Sequence, residues 1–214
     1  MSAERWILLS SFAVSAAAAL YYSLGAILSP RRGDPAETRG DVLRAVAYSF
    51  TGAMSPLKKE SARRHVPTYV LGLLFHAGVF VALAWVVVFF FGISVPLVVA
   101  TLSVPLLAVT SLAGVVLFVK RITRRKLRYF STPDDYFSNV LVVGFEAMTL
   151  ATLVDVDLIP ALLLYASALF LYVPLGKLRH AIYFGLARVY LGLFFGKRGV
   201  WGSKKGERWE ARNR

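Results

Sequence analysis

The chain has no cysteine and only three histidines among its 214 residues, and its 12 acidic side chains are outnumbered by 25 lysines and arginines. The missing cysteine excludes disulfides, thiolate-ligated haem and any iron–sulfur cluster held by this chain. No glycine-rich nucleotide-binding motif, metalloprotease motif or internal repeat is present. Serine, histidine and aspartate all occur, but no nucleophile elbow does, which argues against hydrolysis. Polar sequence is what the chain lacks most. Hydrophobic residues make up 57% of it, in several runs long enough to span a bilayer, so it reads as an all-α, multi-pass integral membrane protein.

Five spans are expected, near residues 6–28, 66–92, 96–119, 138–154 and 159–182, with the last continuing past Arg188 if its helix persists. They make a single membrane domain over 1–196, followed by a basic tail at 197–214. The first run is too long for a cleaved signal peptide and is read as a retained span, its small residues from Ala13 to Ala19 forming a packing face. Pro30 and Pro35 break the chain after it, and Asp41 caps a short amphipathic helix that lies in the interface or docks a partner. Pro105 is expected to kink the third span, and Gly114 to mark a close contact.

The net charge of +13 is distributed by topology. Eight of the basic residues fall between Ser29 and His65, six between Lys120 and Arg128, and ten between Lys177 and Arg214. The positive-inside rule puts those three segments in the cytoplasm, so the N-terminus lies outside and the C-terminus inside. Because each basic run abuts a span, the charge marks orientation and not nucleic-acid binding.

His76 stands mid-way along the second span, and His180 near the inner end of the fifth. An imidazole within hydrocarbon is costly and marks a functional site by default. Two imidazoles on facing helices can hold a haem between them as axial ligands. Gly72, one turn from His76 on the same face, would let a flat ring lie against the helix. Lys177 and Arg179 offer counter-charges for propionates beside His180. His65, eleven residues before His76, is read as interfacial. Glu146, in the inner half of the fourth span, is either a protonated carboxyl bonded within the bundle or a proton-accepting partner of a quinol. Without a Cys-x-x-Cys-His motif, any haem is non-covalent.

Three stretches carry a family resemblance: Leu73-Leu-Phe-His-Ala-Gly-Val, Phe130-Ser-Thr-Pro-Asp-Asp-Tyr, and Tyr172-Val-Pro-Leu-Gly-Lys-Leu-Arg-His180. From about Ser55 onward the chain resembles the cytochrome b (gamma) subunit of respiratory nitrate reductases. It is similar as well to the membrane cytochromes of heterodisulfide-reductase-like and sulfite-reductase-associated complexes. The resemblance implies two haems in the full pattern, with a second ligand on each of the two helices. Here those positions hold Val86 and Leu162, so the outer pair is lost while His76 and His180 keep the inner one. It thus implies one haem b on the cytoplasmic side of the cell membrane. The chain would carry electrons between menaquinone or ubiquinone and a cytoplasmic iron–sulfur subunit, as a subunit and not a complete enzyme. A haem-free membrane anchor for a peripheral redox complex is the alternative. A proton-relay transporter fits less well, since repeats and paired broken helices are missing.

Overall fold

The structure, a computed structural model, describes residues 2–29, 36–56, 58 and 63–201. The breaks expected at Pro30 and Pro35 and most of the basic tail lie outside those residues. Among the described residues every regular element is helical, with no strand. Four helices are long and apolar enough to cross a membrane: α1 (Ala3–Leu28), α3 (Val66–Phe91), α4 (Leu97–Thr123) and α6 (Pro133–Val154). A fifth span is reached only by counting α7 (Ile159–Tyr172) and α8 (His180–Lys197) as one broken element. Such helices have the length and composition of a multi-pass membrane protein. The short helices are α2 (Val42–Phe50) and α5 (Arg125–Tyr129).

The chain divides into two compact units, Met1–Ala19 with Pro67–Arg179 and Leu20–Val66 with His180–Arg214. In the first, the core gathers Leu8 from α1, Ala82 and Val86 from α3, Leu107 from α4, Phe145 from α6 and Leu163 from α7. Apolar lipid offers little hydrophobic drive to such helices, so close packing and polar contacts must hold them. Glycines permit the closest approaches. A Cβ on Gly78 of α3 would strike Thr110 of α4 and Glu146 of α6, and one on Gly114 would come within 2.6 Å of Val143 and close on the Phe75 ring. The contact expected at Gly114 is therefore present, and α4 continues as a helix through Pro105. The small-residue stretch of α1 packs in part: with Leu8 and Ser11, Ser15 is buried and Ala18 and Ala19 are half-buried, while Ala13, Ala16 and Ala17 are exposed. Gly92, at φ 65°, ends α3 in the left-handed conformation that glycine adopts at no steric cost.

The continuous fifth helix expected over 159–182 is interrupted. Pro174 has no N–H to donate and its ring clashes with the preceding turn, so α7 stops at Tyr172. Two turns follow, with the Leu175 N–H donating to the Tyr172 carbonyl at 2.9 Å and that of Arg179 to Gly176 at 3.1 Å. At 14 residues, α7 is about 21 Å long, short of the roughly 30 Å of a hydrocarbon core. The head of α6 secures the break. One Asp134 oxygen accepts the Tyr172 hydroxyl, and the other accepts the Lys177 N–H at 2.8 Å. Beside it Asp135 accepts from the Thr132 N–H at 2.8 Å and pairs with Arg121 and Lys177 at 3.1 and 3.4 Å. Asp134→Ala removes both acceptors at the break and should lower stability by about 1–3 kcal/mol. Thermal unfolding in detergent checks this, with Asp134→Asn expected to fall in between.

In the second unit α2 sits on α8. Asp41 caps α2 as expected, accepting from the Arg44 N–H at 3.0 Å. Its small face, Ala45 and Ser49, is buried against Gly192 and Gly196 of α8, and the Ser49 hydroxyl donates to the Arg188 carbonyl at 2.8 Å. The amphipathic helix thus docks on its own chain, leaving Leu43 and Phe50 exposed. Trp201 closes the end of this unit on Phe195, with ring centroids 4.5 Å apart, and on Tyr48 at 5.5 Å.

Candidate functional site

His76 lies on the outward face of α3. The buried residues of that helix are Gly78, Ala82, Trp85 and Val86, whereas Leu73, His76, Phe80 and Val87 form an exposed stripe. Membrane imidazoles ordinarily face the interior or pair with backbone carbonyls, and His76 does the second. Its Nδ1 is 2.7 Å from the Gly72 carbonyl, which can only accept, so Nδ1 donates to it. This is how metal-binding histidines are commonly oriented. A Cβ added at Gly72 meets no atom within 4 Å among the described residues. The Gly72–His76 face therefore has both an oriented imidazole and open space for a flat ring.

His180 is the first residue of α8 and is exposed. It belongs to the second compact unit and His76 to the first. The fifth helix does not run unbroken through His180: α7 ends at Tyr172 and α8 begins at His180. Lys177 is engaged by Asp135, and an Arg179 guanidinium nitrogen donates to the Leu175 carbonyl at 3.2 Å. His65 is exposed in a turn ahead of α3.

Compared with family models, curated proteins and solved structures, the chain matches none. What it can do chemically has to be read from its own side chains. Among the described residues no three of His, Asp and Glu converge on a point where a metal ion could be held. Axial ligation of a haem needs only two imidazoles, so that finding bears on clustered metal sites and not on haem.

Glu146 lies within the first unit with none of its surface exposed. Its Oε2 accepts the Thr110 hydroxyl at 2.8 Å and the Ser111 hydroxyl at 3.3 Å, and Gly78 packs over the pair. Oε1 has no hydrogen-bond partner among the described residues. Glu146 is thus bonded within the bundle through its Oε2. Val86 and Leu162, 3% and 0% exposed, belong to the same apolar core.

Two functional features escape sequence reading. The Thr110–Ser111–Glu146 contact joins side chains 35 and 36 residues apart, and no local signal announces it. Asp134 and Tyr172 are joined across 38 residues, although the proline and glycine after Tyr172 do mark a turn.

Proposed function

We propose that the chain is a membrane cytochrome b subunit, holding one non-covalent haem b between His76 and His180. It carries electrons between a membrane quinone and a cytoplasmic iron–sulfur partner subunit. The observation behind this reading is the outward face of α3, where an oriented His76 stands beside open space at Gly72 in the middle of an apolar helix.

Bound there, the haem would supply one-electron exchange at its iron. His76, its ring held by the Gly72 carbonyl, and His180 are the residues that would hold the group through their imidazoles. Arg179 and Lys177 lie next to His180 in the sequence and supply positive charge for the propionates, Lys177 sharing its charge with Asp135. Val86 and Leu162 fill with packed side chains the positions where the resemblance would set a second ligand pair, which favours one haem over two. The positive-inside rule orients the chain with its N-terminus outside and its basic segments on the cytoplasmic side of the cell membrane.

The test is spectroscopic. Purified protein should show the Soret and α bands of a low-spin b haem, and a pyridine haemochrome assay should give one haem per chain. Protein that purifies folded but colourless, and takes up no added haemin, would leave the haem-free anchor as the better reading.

A further inference from the structure

The six cations between Lys120 and Arg128, where α4 ends, fall into two kinds. Lys120 and Arg121 are engaged within the protein. The Lys120 ammonium donates to the Thr68 hydroxyl at the head of α3, and Arg121 pairs with Asp135 and donates to Ser131 Oγ at 3.1 Å. Arg124, Arg125, Lys126 and Arg128 are all exposed, and none of them pairs with a carboxylate among the described residues. The nearest carboxylates in sequence, Asp134 and Asp135, are already taken by Tyr172, Lys177 and Arg121. The same stretch presents its aromatic side chains to the outside. Tyr129 is 83% and Phe130 81% exposed, with their rings edge to face at 5.2 Å.

This segment is fixed in place. Arg124 alone separates α4 from α5, its N–H donating to the Lys120 carbonyl at 3.1 Å, and the Ser131 hydroxyl closes the far end on the Leu127 carbonyl at 2.7 Å. Position and charge together indicate what covers it. Arg124 follows Val119, the last apolar residue before the cations, by five residues, about 7 Å of helix rise. The headgroup region on each side of a bilayer is roughly 5–8 Å deep. Unpaired cations need anions, and exposed rings need a place that is half apolar; a surface of anionic headgroups supplies both. An acidic protein would satisfy the cations alone.

We propose that Arg124, Arg125, Lys126 and Arg128, with Tyr129 and Phe130, form a docking surface for anionic lipids in the leaflet at this end of α4. The three guanidinium groups take lipid phosphate oxygens in bidentate pairs, and Lys126 adds a point charge. Tyr129 and Phe130 lie at headgroup level, each ring on the apolar side of the phosphates. Lys120 and Arg121 take no part, since Thr68, Ser131 and Asp135 hold them. The surface is independent of the haem.

Lipid titration of the detergent-purified full chain tests it, with native mass spectrometry counting bound lipid and thermal unfolding reading its effect. Phosphatidylglycerol should bind and raise the melting temperature, less so at high salt, while phosphatidylcholine should do neither. The quadruple variant Arg124→Gln, Arg125→Gln, Lys126→Gln, Arg128→Gln changes only exposed side chains and should fold. Its affinity for phosphatidylglycerol should fall about tenfold or more. Tyr129→Ser with Phe130→Ser, which leaves the charge intact, should weaken binding as well. The matched control neutralises Lys204, Lys205, Arg208 and Arg212 of the tail and should bind like wild type. Equal losses in the quadruple variant and this control would reduce the effect to net charge and overturn the proposal. So would an equal response to phosphatidylcholine, or an equal stabilisation by inorganic phosphate. Failure of phosphatidylglycerol to bind wild type would also overturn it and leave the patch to an acidic protein.

Discussion

Gly192→Val should detach α2 from α8. A Cβ at residue 192 would meet the main chain of α2, its closest atoms being Val46 Cα and the Val46 nitrogen at 2.8 Å. Backbone cannot swing aside as a side-chain tip can, so the two helices must separate. Overpacking of a closed contact costs about 1–3 kcal/mol, and here the loss extends to the Ser49–Arg188 bond and to the neighbouring contact of Gly196 with Ala45. The expected result is rapid proteolysis within residues 36–56 under conditions in which wild type is resistant, together with a lower melting temperature. Gly185→Ala on the same helix is the matched control. A Cβ there meets no atom within 4 Å among the described residues, so alanine should stabilise by about 0.5–1 kcal/mol through its better helix propensity. Equal protease resistance in the two variants would show that the glycine contact does not hold α2 in place.

The largest spectroscopic effect is expected at the histidines. On the proposed reading, His76→Ala and His180→Ala should each abolish the low-spin haem spectrum, because one remaining imidazole would leave the iron five-coordinate or the site empty. His65→Ala should leave the spectrum nearly unchanged. Gly72 provides a sharper discriminator. Leucine at residue 72 enters open space and is favoured over glycine in a helix by about 1 kcal/mol. If that space accommodates a porphyrin, Gly72→Leu should lose haem while folding as well as wild type or better. If it faces lipid, haem content and spectrum will not respond. A wild-type spectrum in His76→Ala would take the ligand off His76, and its loss in His65→Ala would put it in the turn ahead of α3.

The four longer spans are legible because an apolar run of some 20 residues has few alternatives in a membrane. Their ends were less so. The fourth span is expected from Ser138, yet α6 begins at Pro133. The signals for that earlier start were local: a proline in the first turn, Asp134 and Asp135 beside it, and Thr132 ahead of them. The halt at Tyr172 was also written locally, in Pro174 and Gly176, but those residues lie inside the stretch that reads as the approach to His180. The packing face of α1 is legible only in part, for a different reason. Alanine and serine are both small, and composition alone does not say which of them turns inward. Glu146 could be picked out as a buried carboxyl in a span. That its partners would be Thr110 and Ser111, with one oxygen unpartnered among the described residues, depends on how three helices meet.

The tie between Asp134 and the end of α7 bears on how the chain enters its membrane. A helix of about 21 Å is a poor stop-transfer signal by itself, and the peptide groups after Tyr172 need acceptors before they can leave water. The head of α6 is synthesised first and brings those acceptors with it. The connection between the two helices is only the short turn Val156–Leu158, capped by the Asp155 side chain on the Asp157 N–H at 3.0 Å. The α6–α7 hairpin is therefore the natural unit of insertion. A mutation at Asp134 should register at the translocon, as failed integration of α7, before it registers in the finished protein.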